Sequence, residues 1–311
     1  MKKMLIIMNP YAGTRQANRY LAGIIDIFCS AGFDVNIAMT QKAGEGEQLA
    51  KERASGNDMI VAIGGDGTFN EVVAGVLKSG CNIEIGYIPG GTTNDFASSV
   101  GLDKTILDAA ESIINGKVMH LDIGDFNGRY FSYVASFGAF TSTSYDVPQS
   151  LKNAIGHAAY ILSGIADVVN IKPLHLKVVS KDEVYEDDYV FGAICNSTSM
   201  GGIINLKTDD IDMNDGLFEV MLIKSPKNIL DLNSIIFALT TQSYADCDQI
   251  TFFSSEKVEI TAPSDMPWTL DGEYQEGTDK IVVKNIYDAI RLMVPVDNAD
   301  NIAVDLNEES F

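Results

Sequence analysis

The stretch Asp58-Met59-Ile60-Val61-Ala62-Ile63 runs directly into Gly64-Gly65-Asp66-Gly67-Thr68-Phe69-Asn70-Glu71. A short continuous apolar run bounded by glycines reads as a buried strand. The glycines permit φ > 0 and let a ligand approach the backbone. A strand that empties into such a turn, ending in an acid, a hydroxyl and a second acid, can hold polyphosphate against N–H groups and seat a metal beside it. A helix starting near Phe69 aims its first N–H groups at an anion. An ordinary tight turn, with Asp66 as a helix cap, explains the same residues when they are taken alone. The spacing of a dinucleotide fingerprint is absent, and so is the lysine of a P-loop.

Two further turns repeat the arrangement. Ile83 to Ile88 reads as a strand and ends in Pro89-Gly90-Gly91-Thr92-Thr93-Asn94-Asp95-Phe96. Lys3 to Met8 reads as a strand and ends in Asn9-Pro10-Tyr11-Ala12-Gly13-Thr14. Pro89 stops its strand, and Asn94 or Asp95 can cap a following helix. Arg15 can neutralise phosphate, pair with Asp66 or face solvent.

Outward from these turns, residues 1–120 alternate strand and helix. Helical spacing runs through Gln16 to Ser30, Gly46 to Ser55 and Phe69 to Leu77, and a further helix begins at Asn94. Phe33 to Ala38 supplies another strand. This alternation predicts a Rossmann-like, mostly parallel sheet with helices on both faces and ligands at the carboxyl ends of the strands. Near Leu121 the pattern changes to short strands: Leu121 to Phe126, Tyr130 to Ser136, Leu174 to Ser180, Tyr189 to Asn196, Leu217 to Ile223, Gln249 to Phe253, Lys257 to Thr261 and Lys280 to Val283. Helical stretches at Ala154 to Val169 and Ile229 to Leu239 interrupt them. The expectation is an α/β nucleotide domain over 1–122, rejoined by 289–311, and an all-β sandwich domain over 123–288.

The 311 residues carry a formal charge of −21. Nucleic acid is repelled by that field, and no cluster of Lys or Arg offsets it. No apolar run is long enough for a transmembrane span. Cys29, Cys81, Cys195 and Cys247 form no CxxC pair and read as buried free thiols in a reducing cytoplasm. His120, His157 and His175 are isolated and do not suit zinc. Asp209, Asp210, Asp212 and Asp215 are a candidate site for Mg²⁺ or Ca²⁺, or an exposed acidic loop. Leu270-Asp271-Gly272-Glu273 reads as a tight turn; Glu273 can take a proton from a hydroxyl, and Asp271 can orient it.

Five ordered motifs resemble the diacylglycerol kinase catalytic-domain family, in its small bacterial lipid kinase branch related to sphingosine kinases. They are Asn9-Pro10-Tyr11-Ala12-Gly13, Gly64 to Glu71, Gly91-Thr92-Thr93-Asn94-Asp95-Phe96-Ala97, Asp215-Gly216-Leu217 and Leu270-Asp271-Gly272-Glu273. The resemblance implies an active site in an interdomain cleft and transfer of the γ-phosphoryl group of ATP to a lipid hydroxyl, diacylglycerol first among the acceptors. ATP contacts are implied at Asn9, Pro10, Tyr11, Ala12, Gly13, Thr40, Gly65, Asp66, Gly67, Thr68, Phe69, Asn70, Glu71 and Thr92. Glu273 matches the general base, with Asp66 and Asp271 as its catalytic companions. Asp212, Asp215 and the carbonyl of Leu217 match a Mg²⁺ site distinct from the Mg²⁺ that travels with ATP. Transient contact with the inner face of the membrane is implied, and a homodimer is compatible with it. Tyr11, Gly90, Thr93, Asn214 and Phe140-Thr141 depart from the common pattern. Other acceptor lipids (phosphatidylglycerol, monoacylglycerol, a sphingoid base), an NAD kinase, and a nucleotide-binding regulator without catalysis are the competing readings.

Overall fold

The computed structural model describes residues 1–103, 105–138, 172–181, 183–196, 199–200, 204–205 and 212–296. The chain divides into two compact units, Met1–Asp122 with the segment from Asp288, and Ile123–Tyr287.

The first unit is built on β1 (Lys2–Met8), α1 (Gln16–Ser30), β2 (Phe33–Met39), α2 (Glu45–Arg53), β3 (Met59–Gly64), α3 (Asp66–Ser79), β4 (Glu84–Pro89), α4 (Asp95–Ser99), α5 (Ile106–Asn115) and the start of β5 (Lys117–Phe126). Parallel pairing joins β2, β1, β3 and β4 in that order. Met4 to Met8 and Ile60 to Ile63 are buried without alternation, as strands covered on both faces must be. Met4, Ile6 and Met8 join Ile24 and Phe28 of α1 and Ile113 of α5 in one core cluster. The alternate residues Leu5 and Ile7 are equally buried. On the α2–α3 side, Gly75 brings the two helices so close that a Cβ there would lie 2.4 Å from the Glu47 carbonyl oxygen.

The second unit contains β6 (Arg129–Phe131), β7 (Val134–Gly138), β8 (Leu174–Ser180), β9 (Glu183–Cys195), β10 (Ser199–Met200), β11 (Ile204–Asn205), β12 (Phe218–Lys224), α6 (Ile229–Thr241), β13 (Ile250–Ser255), β14 (Lys257–Thr261), β15 (Trp268–Leu270) and β16 (Glu273–Gln275). Its pairings are antiparallel. The long strand β9 pairs with β8 through Glu183 to Tyr189, then runs between β7 and β12. That change of partner folds the strands around a core of Phe131, Phe137, Tyr189, Phe218 and Trp268, a sandwich-like arrangement. The last strand, β17 (Lys280–Val294), serves both units: Lys280 to Lys284 pair antiparallel with β14, and Arg291 and Leu292 pair parallel with β4.

Several details differ from the sequence reading. A helix, α5, fills a stretch assigned to no element, burying Ile106, Ala109, Ala110 and Ile113. The strand expected over Tyr130 to Ser136 is broken at Ser132 and Tyr133, because their N–H groups turn to the carboxylate of Asp271. The strand that begins at Lys280 runs on to Val294 instead of ending at Val283. Cys195 and Cys247 are buried, but Cys29 is exposed in the last turn of α1, beside the core-facing Phe28. The helix expected over Ala154 to Val169 lies outside the described residues, as do Asp209, Asp210 and Phe140-Thr141.

Candidate active site

The carboxyl ends of β1, β3 and β4 present the three glycine turns, and the turns pack backbone against backbone. A Cβ on Gly13 would lie 2.4 Å from the Gly90 carbonyl oxygen, and one on Gly91 would lie 2.6 Å from the Gly65 Cα. Gly13 also sits at φ +50, a left-handed conformation that favours glycine. Hydrogen bonds fix the turns to the sheet: the Asn9 N–H donates to the Ile63 carbonyl at 2.9 Å, and the Gly90 N–H to the Gly64 carbonyl at 2.6 Å. The Asn9 side chain closes its own loop by accepting from the Tyr11 N–H at 2.9 Å. Tyr11, Gly13 and Thr92 are exposed, and Pro10 and Ala12 are half-buried.

Asp66 opens α3, whose own N-cap, Gly65, offers no side chain. Its carboxylate accepts instead from the N–H of Asp95 at 2.9 Å and from the Tyr87 hydroxyl at 3.3 Å, so the first turn holds the start of α4. Burial pushes the Asp66 pKa above its ordinary value, and the Asp95 charge adds to the rise; hydrogen bonds from Asp95, Tyr87 and Phe96 oppose it. Thr68 and Phe69 are buried. Thr68 packs on Gly64, and the Phe69 ring stacks between Tyr87 and Phe96 at 4.7 and 4.5 Å. Glu71 reaches from α3 to the next helix: its two oxygens accept from the N–H groups of Gly44 and Gly46 at 2.7 and 2.9 Å. It thereby caps α2, which begins at a glycine. Thr40 is buried at the end of β2 and donates to the Met8 carbonyl. Arg15, at φ 60, lies over the Tyr11 ring with 5.4 Å to its centroid.

On the other side of the Gly90–Gly91 turn is a cavity of about 520 Å³, lined by Thr14, Gln16, Tyr20 and Asn94 and by Thr105 to Asp108 at the start of α5.

In the second unit, Asp271 and Gly272 form the two-residue turn between β15 and β16, at φ 49 and 83. Asp-Gly suits a turn with φ > 0 at both central positions. The Asp271 carboxylate is buried and accepts from the N–H groups of Ser132 at 2.5 Å, Tyr133 at 3.0 Å and Val134 at 2.9 Å. Glu273 points outward from the first position of β16, and its Oε2 pairs with Arg129 at 2.9 Å. Arg129 also donates to the Tyr274 carbonyl and to Gln275 Oε1.

Asp212 and Asp215 each accept a backbone N–H within their loop, from Asn214 at 2.9 Å and Leu217 at 2.8 Å. The Leu217 carbonyl accepts from Asn285 Nδ2 at 2.9 Å. The buried Oδ1 atoms of Asn214 and Asn285 have no hydrogen-bond partner among the described residues. Unsatisfied oxygens beside two carboxylates and a carbonyl suit a hard cation. Among the described residues no three His, Cys, Asp or Glu side chains gather as a metal site.

Asn94 and Tyr87 contribute to the geometry beyond what the motifs show. Tyr87 carries the one side-chain hydroxyl in the run Ile85 to Ile88, a signal present in the sequence. The partners of Asp66 and Glu71 are backbone N–H groups, which have no sequence signature.

One unit is a parallel sheet with packed glycine turns at its strand ends, and the other is sandwich-like with an outward glutamate on a hairpin. Comparison with known proteins gives the class. Residues 3–126 match the diacylglycerol kinase catalytic domain, and residues 136–294 match the YegS C-terminal NAD kinase beta sandwich-like domain. A diacylglycerol kinase of Bacillus subtilis (strain 168) is 32% identical over 97% of this chain and 99% of its own length. One from Staphylococcus saprophyticus is 29% identical over 88% and 89%. A solved diacylglycerol kinase structure from Bacillus anthracis superposes with a TM-score of 0.75 over 94% of this chain and 97% of that one, at 24% identity, a likeness of fold. The chain belongs to the diacylglycerol kinase family and is an ATP-dependent lipid kinase. No helix among its described residues is long and apolar enough to cross a membrane.

Proposed function

We propose that the chain transfers the γ-phosphoryl group of ATP to the free hydroxyl of diacylglycerol, giving phosphatidic acid. The observation that carries the reading is the set of three mutually packed glycine turns with the half-buried carboxylate of Asp66 among them. Such turns hold the phosphate tail by N–H groups, and Thr92 is free at the surface to add its hydroxyl. Glu71 and Thr40 fix the neighbouring loop by way of α2 and β1. The names of the relatives support diacylglycerol as the acceptor.

Asp66 is suited to hold the Mg²⁺ that accompanies ATP; a bound Mg²⁺ neutralises charge on the phosphate oxygens. Glu273 accepts the proton of the attacking hydroxyl, and Asp271 positions it by anchoring the hairpin on the 132–134 backbone. Asp212, Asp215 and the Leu217 carbonyl would hold a second hard cation. Contact with a bilayer belongs to the same reading. α6 exposes Ile229, Leu230 and Phe237, beside Lys224 and Lys227, in a segment with one acidic residue, Asp231. Apolar side chains flanked by cations suit a lipid surface despite the acidic whole.

The test is transfer of label from γ-labelled ATP to dispersed diacylglycerol, phosphatidylglycerol, monoacylglycerol, a sphingoid base and NAD. Label in phosphatidic acid is expected. Glu273→Gln is expected to lower turnover by about 10²- to 10⁴-fold with an unchanged unfolding midpoint, since its side chain is exposed. Label confined to NAD, or to another lipid, overturns the assignment.

A further inference from the structure

We infer that the buried hydroxyl of Tyr87 is a positioning group that locks the second glycine turn to the first and so sets the affinity for nucleotide; the inference rests on the ATP reading above. Tyr87 belongs to β4 and is 1% exposed. Its hydroxyl lies 3.4 Å from the Gly64 carbonyl oxygen, 3.3 Å from Asp66 Oδ1 and 3.5 Å from Asn94 Oδ1. Gly64 and Asp66 belong to the first turn and Asn94 to the second, so one phenol spans both.

Three acceptors surround a group with a single proton. All three distances exceed the about 2.7–2.8 Å usual for O–H···O, so the hydroxyl sits centrally rather than committed to one partner. Satisfying the Gly64 carbonyl does not require it, because that oxygen already accepts from the Gly90 N–H at 2.6 Å. What the hydroxyl adds is the link between Asp66 and Asn94. Asn94 in turn shapes the second turn: its Oδ1 accepts from the Gly91 N–H at 2.9 Å, and its Nδ2 donates to the Gly91 carbonyl at 3.2 Å. Gly91 is the residue that presses against Gly65. A displacement of Asn94 therefore moves the wall facing the Gly64–Thr68 turn.

The ring cannot swing away to a better partner. It stacks on Phe69, which stacks on Phe96. A phenylalanine would fill the same space without burying a polar atom, and burying a hydroxyl is costly unless it bonds.

The experiment measures ATP binding by titration calorimetry, and KM for ATP against KM for lipid, in the full chain. Tyr87→Phe is expected to weaken ATP binding and raise its KM by about tenfold, the scale of one hydrogen bond to a charged group. The KM for lipid is expected to stay within about twofold of wild type, where a general loss of packing would move both. Asn94→Ser removes the other end of the link outside the core and serves should Tyr87→Phe fold poorly. It is expected to weaken ATP at least as much, because it also removes the two Gly91 bonds, with the double variant no weaker than Asn94→Ser alone. ATP affinity within about twofold of wild type in either folded variant, or additive losses, overturns the inference. A wild-type chain that binds no ATP instead overturns the kinase reading on which it rests.

Discussion

The carboxylate of Asp66 accepts a hydrogen bond at 2.9 Å from the backbone N–H of Asp95, so the acid of one glycine turn seats the helix that follows another. The seat has an electrostatic cost. Burial raises the pKa of Asp66 above the ordinary 3.8. Between 3.8 and the raised value, the folded chain keeps a proton that the unfolded chain has released. Stability from this group therefore falls as pH rises through that window and stays lowered above it. Asp66→Asn cannot titrate. In magnesium-free buffer, its Tm relative to wild type is expected to move in the variant's favour from about pH 4 to about pH 7, while turnover measured separately with Mg²⁺ present is lost. Thermal melts across that range check the sign; a relative Tm moving the other way would mean that the hydrogen bonds outweigh desolvation.

Asp271 predicts the opposite division between stability and chemistry. Three backbone N–H groups converge on its buried carboxylate. Asp271→Asn keeps one acceptor oxygen and turns an N–H₂ group toward donors. It is expected to cost about 2–4 kcal/mol in urea unfolding, whereas Glu273→Gln, one turn away, costs nothing measurable. A variant that unfolds at the wild-type midpoint and has lost only turnover would make Asp271 a participant in the reaction.

The exposed face of α6 predicts vesicle binding. Leu230 and Phe237 are 73% and 65% exposed, and the helix is capped by Asn228 through the backbone N–H groups of Leu230 and Asp231, which a side-chain replacement leaves in place. The pair Leu230→Ser and Phe237→Ser is expected to weaken co-sedimentation with phosphatidylglycerol-containing vesicles by tenfold or more, since each apolar side chain contributes about 1.5–3 kcal/mol when buried. Unchanged sedimentation, with a loss of mass in analytical ultracentrifugation, would assign the face to a second copy of the chain.

The parallel half of the fold is legible because strands buried on both faces read as unbroken apolar runs, as in Met4 to Met8 and Met59 to Ile63. α5 has helical spacing too, yet two of its four buried positions are alanines, a weak signal in one sequence. The break between β6 and β7 depends on Asp271, far along the chain, and no local pattern encodes it. At the site, the motifs show which residues gather but not what their side chains hold. Asp66 and Glu71 read as ligand-facing acids; in the structure their oxygens also brace α4 and α2 through backbone N–H groups. The hairpin of Asp271-Gly272 is readable from its residue types, whereas the depth of the Asp271 carboxylate is not.

The double membership of β17 bears on synthesis at the ribosome. Residues 1–122 emerge first, yet the neighbour that pairs with the free side of β4 arrives through Arg291 and Leu292. Until then the nascent sheet ends in an uncovered border of Glu84 to Pro89, open to wrong partners. Completion of the earlier unit thus waits on translation of the later one, and a stop codon shortly before Lys280 is expected to leave both halves aggregation-prone.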